Sequence, residues 1–442
     1  MAEKTVSVPI YSNKALRKKG EHLLQLREEP DGKGILFIDC SRTVRLNESA
    51  TELAKAYLEG VGEDKAVSRL RKKYAVNKQT AKSDWDHITK LLAGLGDGDP
   101  LEDLGATPAP PGTLTPSSPL VAHVALSYDD PAQPYLDFSV PGREIRGLIG
   151  REWEVAMQRL IATGVHYVIF YGGEPTAQEI LPSLVSQLSN SGIGVGLETN
   201  GLKLRDQKYL ASLVSSGLDS VIVKLSTCDP TLFYKLQAPK AKKGSFSDIG
   251  DGIKAARKLG LEVLVRIYMT KETLPTLLKT AEYVKGLGVT SLLLSFIPNT
   301  NPDVFRLSHI ESIYLDVVWD QIAELAKLGM NVNLTTPLEP TEAQELLQRT
   351  QDISLAPCKA AGMDLAIEPS GDILPCRHVL QPVGNILTVN WQKMNADPNW
   401  SRTREAAVQA RGLGLCSGCP WKVYFPDDDP LDWPVTEERG DD

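Results

Sequence analysis

Tyr171-Gly172-Gly173-Glu174-Pro175 closes an apolar run over residues 165–171, and its reading decides the fold. A run that short, built from Val, Ile, Phe and Tyr with one His and stopped by glycine, is a buried strand. The paired glycines supply positive φ, which a tight strand-to-helix turn requires. Outward from this point, strands are expected at residues 123–126, 194–198, 220–225, 262–269 and 291–296, with helical stretches between them. Six βα units imply an α/β fold with a parallel sheet, a partial (β/α)6 barrel. Ligands bind such sheets at the C-terminal ends of the strands, where loops and helix N-termini converge. The motifs described below fall at those ends.

At 442 residues the chain has room for two to four domains. Residues 96–119 include six Pro and four Gly with few large apolar side chains, the composition of a linker. Upstream, residues 1–95 show strands at 35–38 and 43–46, Asn47 as a helix N-cap, and helical spacing of Ala50, Leu53, Ala54, Tyr57 and Leu58. Helices at residues 66–74 and 81–92 complete a small winged-helix pattern. The barrel is expected over residues 120–345. Residues 346–442 turn to short strands with Gly, Pro and Cys and finish in an acidic tail.

A net charge of -8 gives no general field for phosphate backbones, so small molecules or proteins, and not nucleic acid, are the expected partners. The first 22 residues carry charges throughout, and no later segment approaches ~20 uncharged apolar residues. No membrane association and a cytoplasmic location are expected. Six cysteines in 442 residues make no disulfide framework, and four of them gather near the C-terminus at ligand-like spacing.

The 171–175 run resembles the methionine-binding turn of the radical S-adenosylmethionine (SAM) superfamily. That resemblance implies that Gly172, Gly173, Glu174 and Pro175 form a SAM-binding turn, the glycines letting the backbone approach the methionine end and Glu174 orienting its ammonium group. Glu198-Thr199-Asn200-Gly201 is similar to the family's motif closing the third strand, which adds Thr199 and Asn200. Arg266 on the fifth strand is placed to meet a carboxylate. The family's three cluster cysteines, spaced C-x3-C-x2-C, have no counterpart, because no cysteine occurs between Cys40 and Cys228. Thiolates are the iron ligands such a cluster needs. Aligning the aromatic that follows the last cysteine on Phe138 puts Asp130, Pro134 and Asp137 at the three ligand positions. Carboxylates there would suit a hard divalent cation, whereas Asp with Pro makes a solvated turn, the preferred reading. The fourth strand ends in Lys224-Leu225-Ser226 where the family often shows Ser-Leu-Asp. Losing the open iron removes SAM's strongest anchor, so SAM binding is an open question at this point, and catalytic residues are not assigned.

Cys358, Cys376, Cys416 and Cys419, with Gly371-Asp372-Ile373-Leu374-Pro375-Cys376 and Gly384-Asn385-Ile386 between them, resemble a twitch domain, the shortened relative of the SPASM module. Four thiolates would complete one auxiliary [4Fe-4S] cluster and leave no open iron. They also suit tetrahedral zinc, and His378 would be a replacement ligand. Cys40 and Cys228 read as small buried hydrophobes. The stretch from residue 35 to 95, with Arg45-Leu46-Asn47-Glu48, Leu58-Glu59-Gly60, Lys73-Tyr74 and Asp84-Trp85, resembles the PqqD-like family of precursor-recognition elements. That implies a leader peptide adding as a strand to the small sheet and packing on the third helix, near Trp85 and His87. The plainer reading puts Trp85 in the helix core. Arg69, Arg71, Lys72 and Lys73 would be the basic face if the unit bound DNA instead.

Together these features describe a degenerate radical SAM protein, a pseudoenzyme or accessory subunit in the maturation of a ribosomally made and post-translationally modified peptide (RiPP). A separate, active radical SAM partner protein would supply the radical. The alternatives are a SAM- or cluster-dependent peptide-modifying enzyme and a zinc-stapled structural or regulatory protein.

Overall fold

The computed structural model describes residues 8–18, 21–39, 42–105, 109, 114, 116–130, 145–236, 246–296, 315–335, 340–350, 353–355, 361–377, 381–391, 394, 397–398, 400–402 and 404–405. Of the expected ligands, Pro134, Asp137, Cys358, His378, Cys416 and Cys419 lie outside these residues, as do Phe138 and Cys40.

Two sheets form. The first is antiparallel, in the order β1 (Ile10–Ser12), β2 (Leu24–Glu28), β3 (Gly34–Ile38), β4 (Arg42–Leu46). It is followed by helices α1 (Glu48–Leu58), α2 (Glu63–Lys73) and α3 (Lys78–Asp97). Asn47 caps α1 as expected, accepting from Ala50 N, and Asn77 caps α3 in the same way. One face of the sheet, Leu24, Leu26, Leu36, Ile38, Val44 and Leu46, forms a core with Ala54, Leu58, Leu92 and Leu95. Trp85 is buried among Leu53, Val67 and Leu70, which is the plainer of its two readings. In the basic run of α2, Arg69 pairs with Glu59 at 2.9 Å and Lys73 with Glu52 at 2.8 Å.

The second sheet has eleven strands. Its centre holds the six expected strands in chain order: β5 (Val121–Ala125), β6 (Tyr167–Tyr171), β7 (Gly194–Thr199), β8 (Ser220–Lys224), β9 (Glu262–Met269) and β10 (Ser291–Phe296), all parallel. The sheet goes further on both sides. β11 (Asn331–Leu334) and β12 (Ile353–Leu355) add in parallel beyond β10. β13 (Asp364–Ile367) adds in parallel to β5, and β14 (Asp372–Leu374) and β15 (Gly384–Asn385) continue antiparallel from it. The C-terminal segment is thus hydrogen-bonded into the barrel sheet, and Ile373, Ile386, Met394 and Trp400 share its core cluster.

Alternation along the strands separates two environments. Val168 and Phe170, Val195 and Leu197, Val221 and Val223, and Val265 and Ile267 join the apolar core with the helices. The intervening residues, among them Tyr171, Glu198, Lys224, Arg266 and Tyr268, point the other way, into the barrel.

The other face of the small sheet is fastened to the N-terminal ends of the barrel strands. Arg27, fully buried, donates to Pro119 O (3.0 Å), Gly164 O (3.2 Å) and Ser118 Oγ (2.8 Å), and its Nε lies 2.8 Å from Glu29. Gln25 Nε2 donates to His166 O and Gly192 O, and Phe37 stacks on the His166 ring with centroids 3.5 Å apart. Within the 96–119 segment, Leu101, Ala109 and Leu114 are buried, and Ala109 N donates to Thr43 O at 2.8 Å. The two units therefore share an interface of buried hydrogen bonds and are not held together by the connecting chain alone.

Arg27→Met would take the cation from beside Glu29 and the donor from two buried carbonyls. We expect a loss of about 3 to 5 kcal/mol, the range for breaking a buried charge pair from one side, read as a lower urea midpoint.

Candidate functional site

The C-terminal ends of β5 to β9 converge on a set of charged and polar side chains. Gly172 and Gly173 have φ of +77° and +50°. A Cβ at Gly173 would lie 2.2 Å from Asp129 O, and one at Gly172 2.8 Å from Ala125 Cβ at the end of β5 and 3.2 Å from Ser127 O. Both glycines are therefore required by the chain's own loop at 127–130, which crosses directly over them. Glu174 N donates to Asp129 O at 2.9 Å, tying the loop to the turn.

Glu174 is buried, and its carboxylate holds two strand ends together. Oε1 accepts from Thr176 N (3.0 Å), Thr176 Oγ1 (2.6 Å) and Thr199 Oγ1 (2.7 Å), and Oε2 accepts from Asn200 N (2.7 Å). Oε1 is saturated, while Oε2 has room for a further donor. Pro175 opens the short 3-10 turn Pro175–Ala177 that Glu174 caps, a position where its missing N–H costs nothing.

Asp130 does not sit in a solvated turn, which corrects the sequence expectation. It is 5% exposed. Asn200 Nδ2 donates to its two carboxylate oxygens at 3.1 and 3.3 Å, and Lys224 Nζ stands 4.0 Å from Oδ2. Lys224 also donates to Gly173 O at 3.0 Å. A carboxylate this deep persists because a cation and an amide compensate it. Proline and aspartate in sequence suggested a surface loop, but the glycine turn draws that loop inward.

Deeper in the barrel, Glu198 lies between two guanidiniums. Arg266 approaches through Nε (3.2 Å) and Nη2 (3.3 Å), and Arg377 Nη1 donates at 3.2 Å. Tyr268 Oη adds a longer contact at 3.4 Å. Arg266 Nη1 also donates to Ser295 Oγ (2.7 Å) and Thr335 Oγ1 (3.1 Å), spreading the network over β7, β9, β10 and the end of β11. The carboxylate expected to meet Arg266 is thus the chain's own. Burial alone would push the Glu198 carboxyl up, but Arg266, then Arg377, Lys224 and His123, outweigh it and hold it at about 2. Burial raises the Tyr171 and Tyr268 hydroxyls well above their ordinary value, so both stay protonated donors. Arg377 lies 6.0 Å from the Tyr171 ring centroid, which His123 meets edge-on at 5.9 Å.

The structure therefore brings Gly172, Gly173, Glu174, Pro175, Thr199, Asn200 and Arg266 to one end of the barrel. The sequence reading missed Arg377, Tyr171 and Tyr268 as participants. Lys224, an isolated charge ending the strand Ser220–Lys224, was a usable signal; Arg377, inside a glycine- and cysteine-marked segment, offered none. Cys376 immediately precedes Arg377 and is half-buried. Among the described residues no group of three or more His, Cys, Asp or Glu is arranged to hold a metal ion, and no helix is long and apolar enough to cross a membrane.

Residues 142–284 match the family model described as the radical SAM superfamily, so the chain carries a radical SAM superfamily domain. A protein of Methanococcus maripaludis described as "Probable GTP 3′,8-cyclase" is 30% identical over 171 residues, 38% of this chain and 53% of that relative. The chain spans about half the length of the curated relatives it matches first. Among solved structures, Streptococcus suis SuiB bound to S-adenosylmethionine aligns with a TM-score of 0.62 and 18% identity, covering 92% of this chain and 96% of that one. SuiB bound to its precursor peptide SuiA aligns with a TM-score of 0.63 and 17% identity over the same shares. At that identity the likeness shows the fold, a mixed α/β architecture with a large parallel sheet.

The residues present do not fit the cluster that cleaves SAM in this superfamily. No thiolate is available between Cys40 and Cys228, and the Asp130 carboxylate is engaged by Lys224 and Asn200.

Glu198 also makes stability depend on pH. Its folded value of about 2 lies below its ordinary 4.5, so the stabilisation is fully present above pH 4.5 and lost as pH falls toward 2. Wild type should lose up to about 3 kcal/mol across that window, and Glu198→Gln should flatten this acid limb while lowering stability at pH 7, as measured by urea titrations.

Proposed function

We propose that this protein is a peptide-binding, radical-SAM-like accessory subunit in RiPP maturation that does not itself cleave SAM. The observation that carries this reading is the replacement of cluster ligands by a neutralised carboxylate. At the first of the three positions where the resemblance calls for thiolates, Asp130 is buried and compensated by Lys224 and Asn200 without iron. The SuiB–SuiA complex supports the peptide part, since a protein of similar architecture over 92% of this chain binds a precursor peptide.

In this reading the PqqD-like unit holds the leader by strand addition to the small sheet. Because that sheet is fastened to the barrel through Arg27 and Gln25, the bound peptide is presented at a fixed position relative to the barrel. Cys358, Cys376, Cys416 and Cys419 would hold one auxiliary [4Fe-4S] cluster; four thiolates are equally a tetrahedral zinc set, and metal analysis separates the two. The cluster would supply electron transfer or structural support. Arg377, next to Cys376 and anchored on Glu198, would position that cluster against the barrel. A partner protein with a complete cysteine motif would generate the radical.

Anaerobic reconstitution is expected to give about four iron atoms per chain, dropping to near zero in Cys416→Ala. The reconstituted protein alone, with SAM and a reductant, should form no 5′-deoxyadenosine. Formation of that product without a partner would refute the accessory role, and zinc without iron would refute the cluster. Calorimetry with candidate leader peptides encoded nearby tests the peptide arm.

A further inference from the structure

Strand addition needs an edge with unpaired backbone, and the two edges of the small sheet differ in this respect. At β4 the edge is used by the chain itself. Thr43 O accepts from Ala109 N at 2.8 Å, and Thr43 Oγ1 donates to Ala109 O at 2.6 Å. At β1 the edge is open. Pro9 O accepts from Glu28 N and Asn13 N donates to Leu24 O, so in the register Ile10↔Arg27, Tyr11↔Leu26, Ser12↔Gln25 it is Tyr11 that bonds to β2. The N–H and C=O groups of Ile10 and Ser12 point away from the sheet, and among the described residues nothing outside the sheet bonds them. The strand is nevertheless held firmly. Lys14 Nζ donates to Ile193 O (2.9 Å) and Gly217 O (3.0 Å) and pairs with Asp219, while Lys55 stands 4.9 Å over the Tyr11 ring.

Along this edge runs a groove of about 440 Å³ that continues the interface between the two units. One wall is the end of α1 at Leu58, on the side where Tyr11 packs with the helices. The other is the end of the helix Leu181–Asn190 and the turn after it, with Ser189, Asn190 and Ser191. Ser12 faces that wall, where a Cβ added at Gly192 would lie 3.1 Å from its own Cβ, and Gly192 O already accepts from Gln25.

We propose that an extended segment of the precursor's leader adds to the outer edge of β1 and lies in this groove. This placement rests on the accessory role. It lies apart from the third helix near Trp85 and His87, where the PqqD-like resemblance would put a leader. Alternation along an added strand sets the chemistry it recognises. The residue beside Tyr11 faces Leu58 and is apolar, and its two neighbours face the hydroxyls and amide of Ser189, Asn190 and Ser191 and are small or polar. The groove is at the foot of the barrel, next to the residues that lead into β7. Strands β7 and β9 are six and eight residues long. A peptide that runs from the groove to the mouth therefore needs at least about eight extended residues between the recognised segment and the residues presented there.

The probes are fluorescein-labelled synthetic peptides tiling the short reading frames encoded beside the gene, read by fluorescence anisotropy. Ile10→Pro removes an N–H that points away from β2, a change an edge strand accepts. It should weaken the bound peptide at least about tenfold, the worth of a main-chain hydrogen bond and its neighbours, with an unchanged thermal melt. His87→Ala should leave the affinity as it is. A p-benzoylphenylalanine placed at exposed Asn190 should crosslink to the peptide on irradiation, and one at exposed His87 should not. The crosslink does not depend on the folding of Ile10→Pro. No peptide bound by wild type would overturn the accessory role and this placement together. Binding that survives Ile10→Pro, or a crosslink from His87 and not from Asn190, would overturn the placement alone. Self-association of wild type by light scattering that Ile10→Pro abolishes would also overturn it, because the edge would then belong to a second copy of the chain.

Discussion

Glu198 is a carboxylate buried inside the barrel, and two arginines from distant parts of the chain meet it there. A charge removed from water is tolerated when partners compensate it with good geometry. Arg266 brings in β9 and, through Ser295 and Thr335, β10 and the end of β11; Arg377 brings in the segment after β14. The polar lining of the barrel is in this way one connected object. The apolar residues on the opposite faces of the same strands close the fold, but they are interchangeable in kind. The Glu198 network fixes which segments must be present together.

The same logic holds at the rim. Asp130, Glu174 and Asn200 are drawn into a compact arrangement by a pair of glycines whose positive φ and missing Cβ let the 127–130 loop lie against them. Once that loop is down, Asp130 is out of water and needs a cation, and Lys224 supplies it.

Coupling between the units follows from where polar groups were buried. Arg27 and Gln25 spend their donors on carbonyls at the foot of the barrel, and Phe37 stacks on His166, so the small sheet has helices on one face and the barrel on the other. The proline- and glycine-rich connection contributes Ala109 and Leu114 to that layer. The C-terminal segment is joined more firmly still, by β13 pairing with β5 along its length.

The periodicity of the sequence determined the six central strands, the caps at Asn47 and the glycine turn at 172–173, because each depends on neighbours within a few residues. The sequence also determined that no thiolate is available between Cys40 and Cys228. Tertiary structure decided that β11 to β15 extend the sheet, since strands of two to four residues carry too little pattern to be distinguished from loops. It decided as well that Asp130 is buried, that Arg266 meets Glu198, and that Arg377 reaches Tyr171. Those contacts join residues far apart in the chain, Arg377 and Glu198 by 179 positions. Charge compensation acts through space and leaves no periodic trace along the chain, so a lone lysine ending an apolar strand and an arginine after a cysteine become intelligible only when the sheet curves and brings their partners near.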